Sequence, residues 1–331
     1  MSQRDRQRQW RDLGAYALAP LAGLAIGVAL PGTVAMADSL LWPTLALLLF
    51  VTFLQVPLVA QQRLPQTKRY MLAAAFAQFL CLPLLVGGLL LLVPDDPGLQ
   101  LAVCLVLLAP CTDWFVTFSK LSRGSVQVAV LSTPMLLIGQ LVMLPVWIYL
   151  LAGSAALAAF EPMRLLIVFS AIVLLPLGVA MVLQRLRPGS GLRLTAHQLD
   201  RIGKWLLVVV LGLIGTSQLS ALVGAWQSWL LPVAGVYLGF AVGATAIAVL
   251  IARAVRLRPA PGRTLLISLN ARNSFVVLPV ALASGAAATA SAAIVLQMLL
   301  ELFLLLGLSH VATRLLPGDE DQTDERLRQV S

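Results

Sequence analysis

The sequence predicts an all-α polytopic membrane protein. Ten transmembrane helices are expected as two inverted five-helix repeats, with discontinuous fourth and ninth helices that cross. Three observations carry this expectation. The first is composition: 60% of the 331 residues are apolar and only 11% are charged, with a mean hydropathy of +0.92, whereas a soluble domain carries about 25% charged residues. The second is a succession of apolar runs, most of them about the 20 residues a transmembrane helix needs. The third is a pair of polar interruptions, Pro110-Cys111-Thr112-Asp113-Trp114 and Asn270-Ala271-Arg272-Asn273-Ser274, in the fourth and ninth runs.

The runs fall at approximately 13–30, 40–60, 71–93, 99–121, 125–151, 162–184, 204–223, 230–252, 264–285 and 289–314. Residues 1–12 form a basic N-terminus, 13–151 the first repeat, 152–314 the second, and 315–331 a tail. The start imitates a secretory signal, with Arg4 to Arg11, an apolar run and Ala35-Met36-Ala37. That run exceeds the usual 7–15-residue signal core, so it reads as the first membrane helix. The shortest joint is Lys120 to Ser125, a polar turn between runs four and five. Glycines at Gly23/Gly27 and at Gly235/Gly239/Gly243 make small-x-x-x-small stripes, which let helix backbones approach closely in lipid.

A cytoplasmic start and ten spans leave every one of the 23 Lys and Arg residues in cytoplasmic segments except Arg164 and Arg272. That is the positive-inside pattern. It places both termini in the cytoplasm and the protein in the plasma (inner) membrane. The same short basic blocks account for the pI near 10.3 and argue against nucleic acid as a partner. Cys81, Cys104 and Cys111 all fall in apolar runs, so no disulfide is expected. His197, read as a loop residue, and His310, read as a helix-end residue, make no metal site. No cofactor is implied.

Five spans per half invert the second half relative to the first, and the interrupted runs are the same member of each half. Interrupted helices at matching positions point to the binding site of a secondary transporter. Ionisable groups at membrane depth mark substrate or ion paths. Asp113 follows Pro110, which removes a backbone donor and breaks a helix. It reads either as a cap on its own half-helix or as a proton or cation site, paired with Arg272. Arg272 stays charged at physiological pH. It reads as half of a permanent pair, as an anion-binding group, or as a built-in charge replacing a transported cation. Asn270, Asn273 and Ser274 flank it and can satisfy unwound backbone. Glu301 lies near the middle of the tenth run with Gln297 one turn before it. It is the charge best placed to change protonation state, because burial disfavours a carboxylate. Gln78, Ser132, Thr133, Ser268 and Asn270 supply neutral polar groups for an ion or polar path, and Gln140 shares a helix face with Thr133. Taken singly, Gln78, Ser132, Thr133 and Gln140 read more readily as helix–helix hydrogen bonds than as ligands. Cys111 differs from the other two cysteines by sitting at a break, where its sulfur can meet a soft ligand.

Ten spans with the fourth and ninth broken resemble the bile acid/sodium symporter superfamily. Ala109-Pro110-Cys111, followed by Lys120-Leu121-Ser122-Arg123-Gly124, resembles the fourth span of its arsenite-efflux (arsenic-resistance) branch, and Leu299-Leu300-Glu301-Leu302 resembles the tenth span of that branch. The resemblance implies that Cys111 and Glu301 carry arsenite transport. Ala77-Gln78-Phe79 resembles a third-span motif whose glutamine helps bind sodium in symporters, and Asn273-Ser274-Phe275 resembles the ninth-span crossing. This chain departs from the sodium-coupled members in having Ser268 where they carry glutamate and Arg272 where they carry glutamine. It departs from the arsenite exporters at Asp113 and Trp114. The resemblance therefore describes a divergent member, with a proton rather than sodium as the coupling ion.

Two functions follow as expectations. One is a secondary active exporter of arsenite or antimonite, driven by protons, with Cys111 as soft ligand and Glu301 or Asp113 exchanging the proton. The other is a carrier of a small organic anion held by Arg272 and half-helix N-termini. An enzyme is not expected, for want of a nucleophile–base pair or a metal-ligand cluster.

Overall fold

The computed structural model describes residues 3–55, 67–111, 114–158, 167, 170–185, 196–224, 228–282 and 287–318. Asp113 and Arg164 lie outside them. Among the described residues the chain is almost wholly helical and contains no strand. The helices are α1 (Gln3–Ala29), α2 (Thr33–Gln55), α3 (Thr67–Leu90), α4 (Pro97–Leu108), α5 (Trp114–Leu121), α6 (Val126–Ala158), α7 (Leu175–Arg185), α8 (Ala196–Gly224), α9 (Leu230–Ala254), α10 (Pro259–Asn270), α11 (Ser274–Leu282) and α12 (Ala287–Leu315).

Four of these are long and apolar enough to cross a membrane: α2, α3, α9 and Thr289–Leu315 within α12. A fifth is α6, counted as one span although Val126–Gln140 and Val142–Leu151 meet at 49°. Pro145 explains the bend, since its ring clashes with the carbonyl four residues earlier, at position 141. The helices on either side of the two interruptions are individually too short. Twelve residues of α4 or α10 rise only about 18 Å, against a hydrocarbon core of about 30 Å.

Several boundaries differ from the expectation for simple reasons. The helix of α1 begins at Gln3 rather than near residue 13, because Gln and Arg are good helix formers and the amphiphilic start prolongs it. His197 lies in the first turn of α8, not in a loop. Within α3, Ala77–Cys81 form a π turn, which inserts an extra residue into the helix; such turns recur at functional sites. Its cause is partly Pro83, which has no N–H to offer the Phe79 carbonyl; the Trp147 indole N–H of α6 donates there instead, at 3.1 Å.

The chain divides into two compact units, each drawing helices from both sequence halves. One comprises Met1–Val56, Ala156–Leu231 and Phe275–Leu299. In it, α1 and α8 touch backbone to backbone: a Cβ on Gly23 would strike the Gly212 carbonyl, and one on Gly215 would strike that of Pro20. The small-residue stripe Gly23/Gly27 is therefore a packing surface. The side-chain amide of Gln184 donates to Phe53 O at 2.9 Å and ties α7 to α2.

The other unit comprises Pro57–Ala155, Pro232–Ser274 and Leu300–Ser331. Gly243 of α9 meets Leu85 of α3, while Gly235 has nothing within 4 Å, so only part of that second stripe packs. The short joint between α5 and α6 is fixed by α10. Arg123 adopts a left-handed φ of 55°. A Cβ on Gly124 would lie 2.8 Å from the Thr264 hydroxyl, and that hydroxyl accepts the Ser125 N–H at 2.8 Å.

Candidate functional site

An α-helix leaves its last four carbonyls without intrahelical donors. In the second unit α4 and α10 both stop in the middle of apolar sequence, so both must find donors where bulk water is absent. Each is followed by a residue in extended conformation, Ala109 (φ −88°, ψ 107°) and Ala271 (φ −76°, ψ 124°). The two extended pieces pair antiparallel, with Pro110 opposite Arg272. Cys111 N–H donates to Ala271 O at 3.1 Å, and Asn273 N–H donates to Ala109 O at 2.8 Å. Proline at position 110 costs this pairing no donor, since its neighbours supply both bonds.

Arg272 supplies further donors, from its side chain, to three of these helix-end carbonyls. Its side chain is 1% exposed. Nη1 donates to Leu107 O, in the last turn of α4, at 3.0 Å. Nη2 donates to Ser268 O at 2.8 Å and Leu269 O at 2.9 Å, in the last turn of α10. Nη2 also lies 3.2 Å from Gln78 Oε1. One guanidinium thus caps the C-termini of two half-helices, the ends where the helix dipole favours a cation. Phe240 of α9 covers it, with its ring centroid 5.4 Å from Cζ, within the range of a cation–π contact.

Glu301 reaches the same place from α12. Its Oε1 accepts the Arg272 backbone N–H at 2.9 Å, a donor that would otherwise have continued α10. Glu301 and Cys111 both lie within electrostatic reach of the guanidinium. Both are buried.

The π turn of α3 delivers Gln78 to this cluster. Its Nε2 donates to Ser268 O at 2.8 Å and approaches Ser268 Oγ at 3.3 Å. The Asn270 amide turns back on its own helix, donating to Leu266 O at 2.9 Å. Its Oδ1 lies 3.4 Å from the Thr245 hydroxyl. The Tyr70 hydroxyl sits near Ser132 and Ser268 without a hydrogen bond of good geometry.

Of the residues singled out from sequence, Gln78, Cys111, Ser268, Asn270, Arg272, Asn273 and Glu301 come together around the paired breaks. Ser274 opens α11 and is buried. Ser132 and Thr133 are buried on α6, but both hydroxyls donate to Ala129 O of their own helix, at 2.9 and 3.0 Å. Gln140 is buried with neither amide atom hydrogen-bonded. Asp113, the expected partner of Arg272, lies outside the described residues, and the described acceptors of the guanidinium are carbonyl and amide oxygens.

Sequence reasoning missed Phe240 and the carbonyls of Leu107 and Leu269. An aromatic in an apolar run carries no mark of its neighbour. A backbone carbonyl carries no sequence signal beyond the break that frees it.

Comparison with known proteins gives one family. The profile described as "Sodium Bile acid symporter family" matches residues 42–225, more than half of the chain. The matched stretch holds Gln78 and Cys111, while Arg272 and Glu301 lie beyond it. No individual curated protein matches the chain.

Proposed function

The chain belongs to the sodium bile acid symporter family, and from that premise we infer that this integral membrane protein is a secondary active transporter that exports arsenite or antimonite in exchange for protons. The observation that carries the reading is the meeting of a thiol and a carboxyl group, Cys111 and Glu301, at one pair of helix breaks. Trivalent arsenic is a soft centre that favours sulfur. Arsenous acid exchanges one hydroxyl for the Cys111 sulfur, and the thiol proton leaves with that hydroxyl as water. Water reverses the exchange and frees the cargo. A single sulfur holds such a cargo loosely, as a carrier requires. Because arsenous acid is largely neutral at cellular pH, its export against a gradient needs a coupled ion. Glu301 is the group that takes and yields the proton.

The architecture that accompanies this reading is ten spans in two inverted five-helix repeats, with α4–α5 and α10–α11 as the broken fourth and ninth. Both termini face the cytoplasm of the plasma (inner) membrane, as the basic residues require. The ten spans count each broken pair once.

A second reading, favoured by the family itself, is a carrier of a small organic anion. Against it stands the engagement of the Arg272 guanidinium, whose four hydrogen bonds are directed at oxygens of the protein. Among the described residues only its buried Nε–H has no hydrogen-bond partner, so an anion at this site finds little of the guanidinium left open to it.

One experiment separates them: arsenite accumulation in sensitive cells, with and without the chain, beside uptake of a labelled organic-anion panel. Export of arsenite that is abolished by Cys111→Ser, with expression intact and with Cys81→Ala and Cys104→Ala silent, supports the first reading. Unchanged arsenite accumulation with the wild-type chain ends it, and transport of an organic anion that survives Cys111→Ser supports the second.

A further inference from the structure

We propose that Arg272 is a tethered cation filling an oxygen-lined monovalent-cation site, so that the paired breaks are complete without a bound ion and open to one when the guanidinium is removed. The argument starts from the ligand set. Leu107 O, Ser268 O, Leu269 O and Gln78 Oε1 all lie within 3.2 Å of the guanidinium nitrogens. All four are neutral oxygens. Three of them are carbonyls at helix C-termini, the dipole ends that attract positive charge. Unwound carbonyls and half-helix C-termini are also the groups that coordinate transported cations in broken-helix carriers.

Three of the oxygens converge on one nitrogen, Nη2. A hard cation takes oxygen ligands at about 2.3–2.6 Å, so a contraction of roughly half an ångström would turn this donor cradle into a coordination shell. Water would supply the remaining ligands in the space the guanidinium leaves. The local charge also fits a single cation, because Glu301 and Cys111 lie in electrostatic reach of the same point. Gln78 is held for this role by its other end, which donates to Ser268 O at 2.8 Å; its oxygen is thereby aimed at the cation.

The consequence concerns coupling rather than cargo, so it does not depend on whether arsenite or an organic anion is carried. A site closed by a covalently attached cation cannot exchange it with sodium, and the intact protein is indifferent to sodium.

The test is thermal unfolding of the purified full-length chain in detergent, with no cargo present, at constant ionic strength in choline, sodium, lithium or guanidinium chloride. Wild-type protein has the same Tm in choline and sodium. Arg272→Ala melts lower in choline and regains roughly 5 °C or more in sodium, lithium or low guanidinium, rising with the logarithm of concentration as ligand binding requires. Arg272→Lys, which keeps a charge among the same oxygens, stays insensitive to sodium. A sodium-dependent Tm in the wild type or in Arg272→Lys overturns the proposal. So does an Arg272→Ala protein that responds to none of the cations. Where Arg272→Ala cannot be purified in choline, recovery of folded protein in guanidinium or sodium is the supporting result, and failure in every cation is the overturning one. Loss of the transport reading leaves all of these outcomes unchanged, since none involves cargo.

Discussion

Replacing Arg272 by methionine keeps a long, flexible side chain and removes every donor at its end. The structure gives the expected cost. Ser268 O keeps a donor, because Gln78 Nε2 reaches it at 2.8 Å. Leu107 O and Leu269 O lose the guanidinium, the donor that reached them at 3.0 and 2.9 Å. Each buried acceptor left unsatisfied costs about 1–3 kcal/mol, and loss of the contact with Phe240 adds about 0.5–2 kcal/mol. Methionine recovers some of this by not burying a charge, which brings the expected loss to about 3–5 kcal/mol. The control is Gln78→Leu. It removes one arm but orphans neither Ser268 O nor Nη2, since each retains the other, so it should cost only about 1 kcal/mol. Reversible unfolding in mixed SDS micelles, followed by tryptophan fluorescence, measures both. The double variant should lose less than the sum, because both substitutions act on one cluster. An Arg272→Met protein within about 1 kcal/mol of wild type, or one no worse than Gln78→Leu, would refute the assignment of Arg272 as the cap of both half-helices.

Glu301→Gln retains an acceptor for the Arg272 N–H and loses ionisation, so it should unfold within about 1 kcal/mol of wild type while proton-driven turnover stops; transport driven by a pH gradient in proteoliposomes checks this. Gly23→Val puts a side chain into the Gly212 carbonyl, and overpacking of that kind should cost about 1–3 kcal/mol, read as a lower Tm, with Gly14→Val, which meets nothing within 4 Å, as the neutral control. A reporter fused after Ser331 should be active only on the cytoplasmic side, and activity outside the cell would reverse the topology.

The sequence determined what composition and periodicity can encode. Long apolar runs dictate helices in a membrane, because no other open structure satisfies its backbone there. The runs near 230–252 and 289–314 appear as α9 and α12 with ends displaced by no more than two residues. The breaks were equally legible, since Pro110 and the Asn270–Ser274 cluster cannot continue an apolar helix without a reason. Gln78, Cys111, Arg272 and Glu301 stood out because each is costly or unusual at depth. What the sequence could not give was the partner of each. It offered Arg272 a carboxylate at Asp113, since opposite charges are the visible solution to a buried cation. Asp113 lies outside the described residues. Among those described, the guanidinium meets the Gln78 amide oxygen and backbone carbonyls, which belong to every residue alike and are left open only when a helix stops. Likewise Glu301 was read beside Gln297 on its own helix, and nothing local announced that it would also accept the backbone N–H of Arg272, 29 residues earlier. Side-chain identity is local and written in the chain. Which backbone groups two helix breaks leave open, and which side chain fills them, is decided only when the breaks meet.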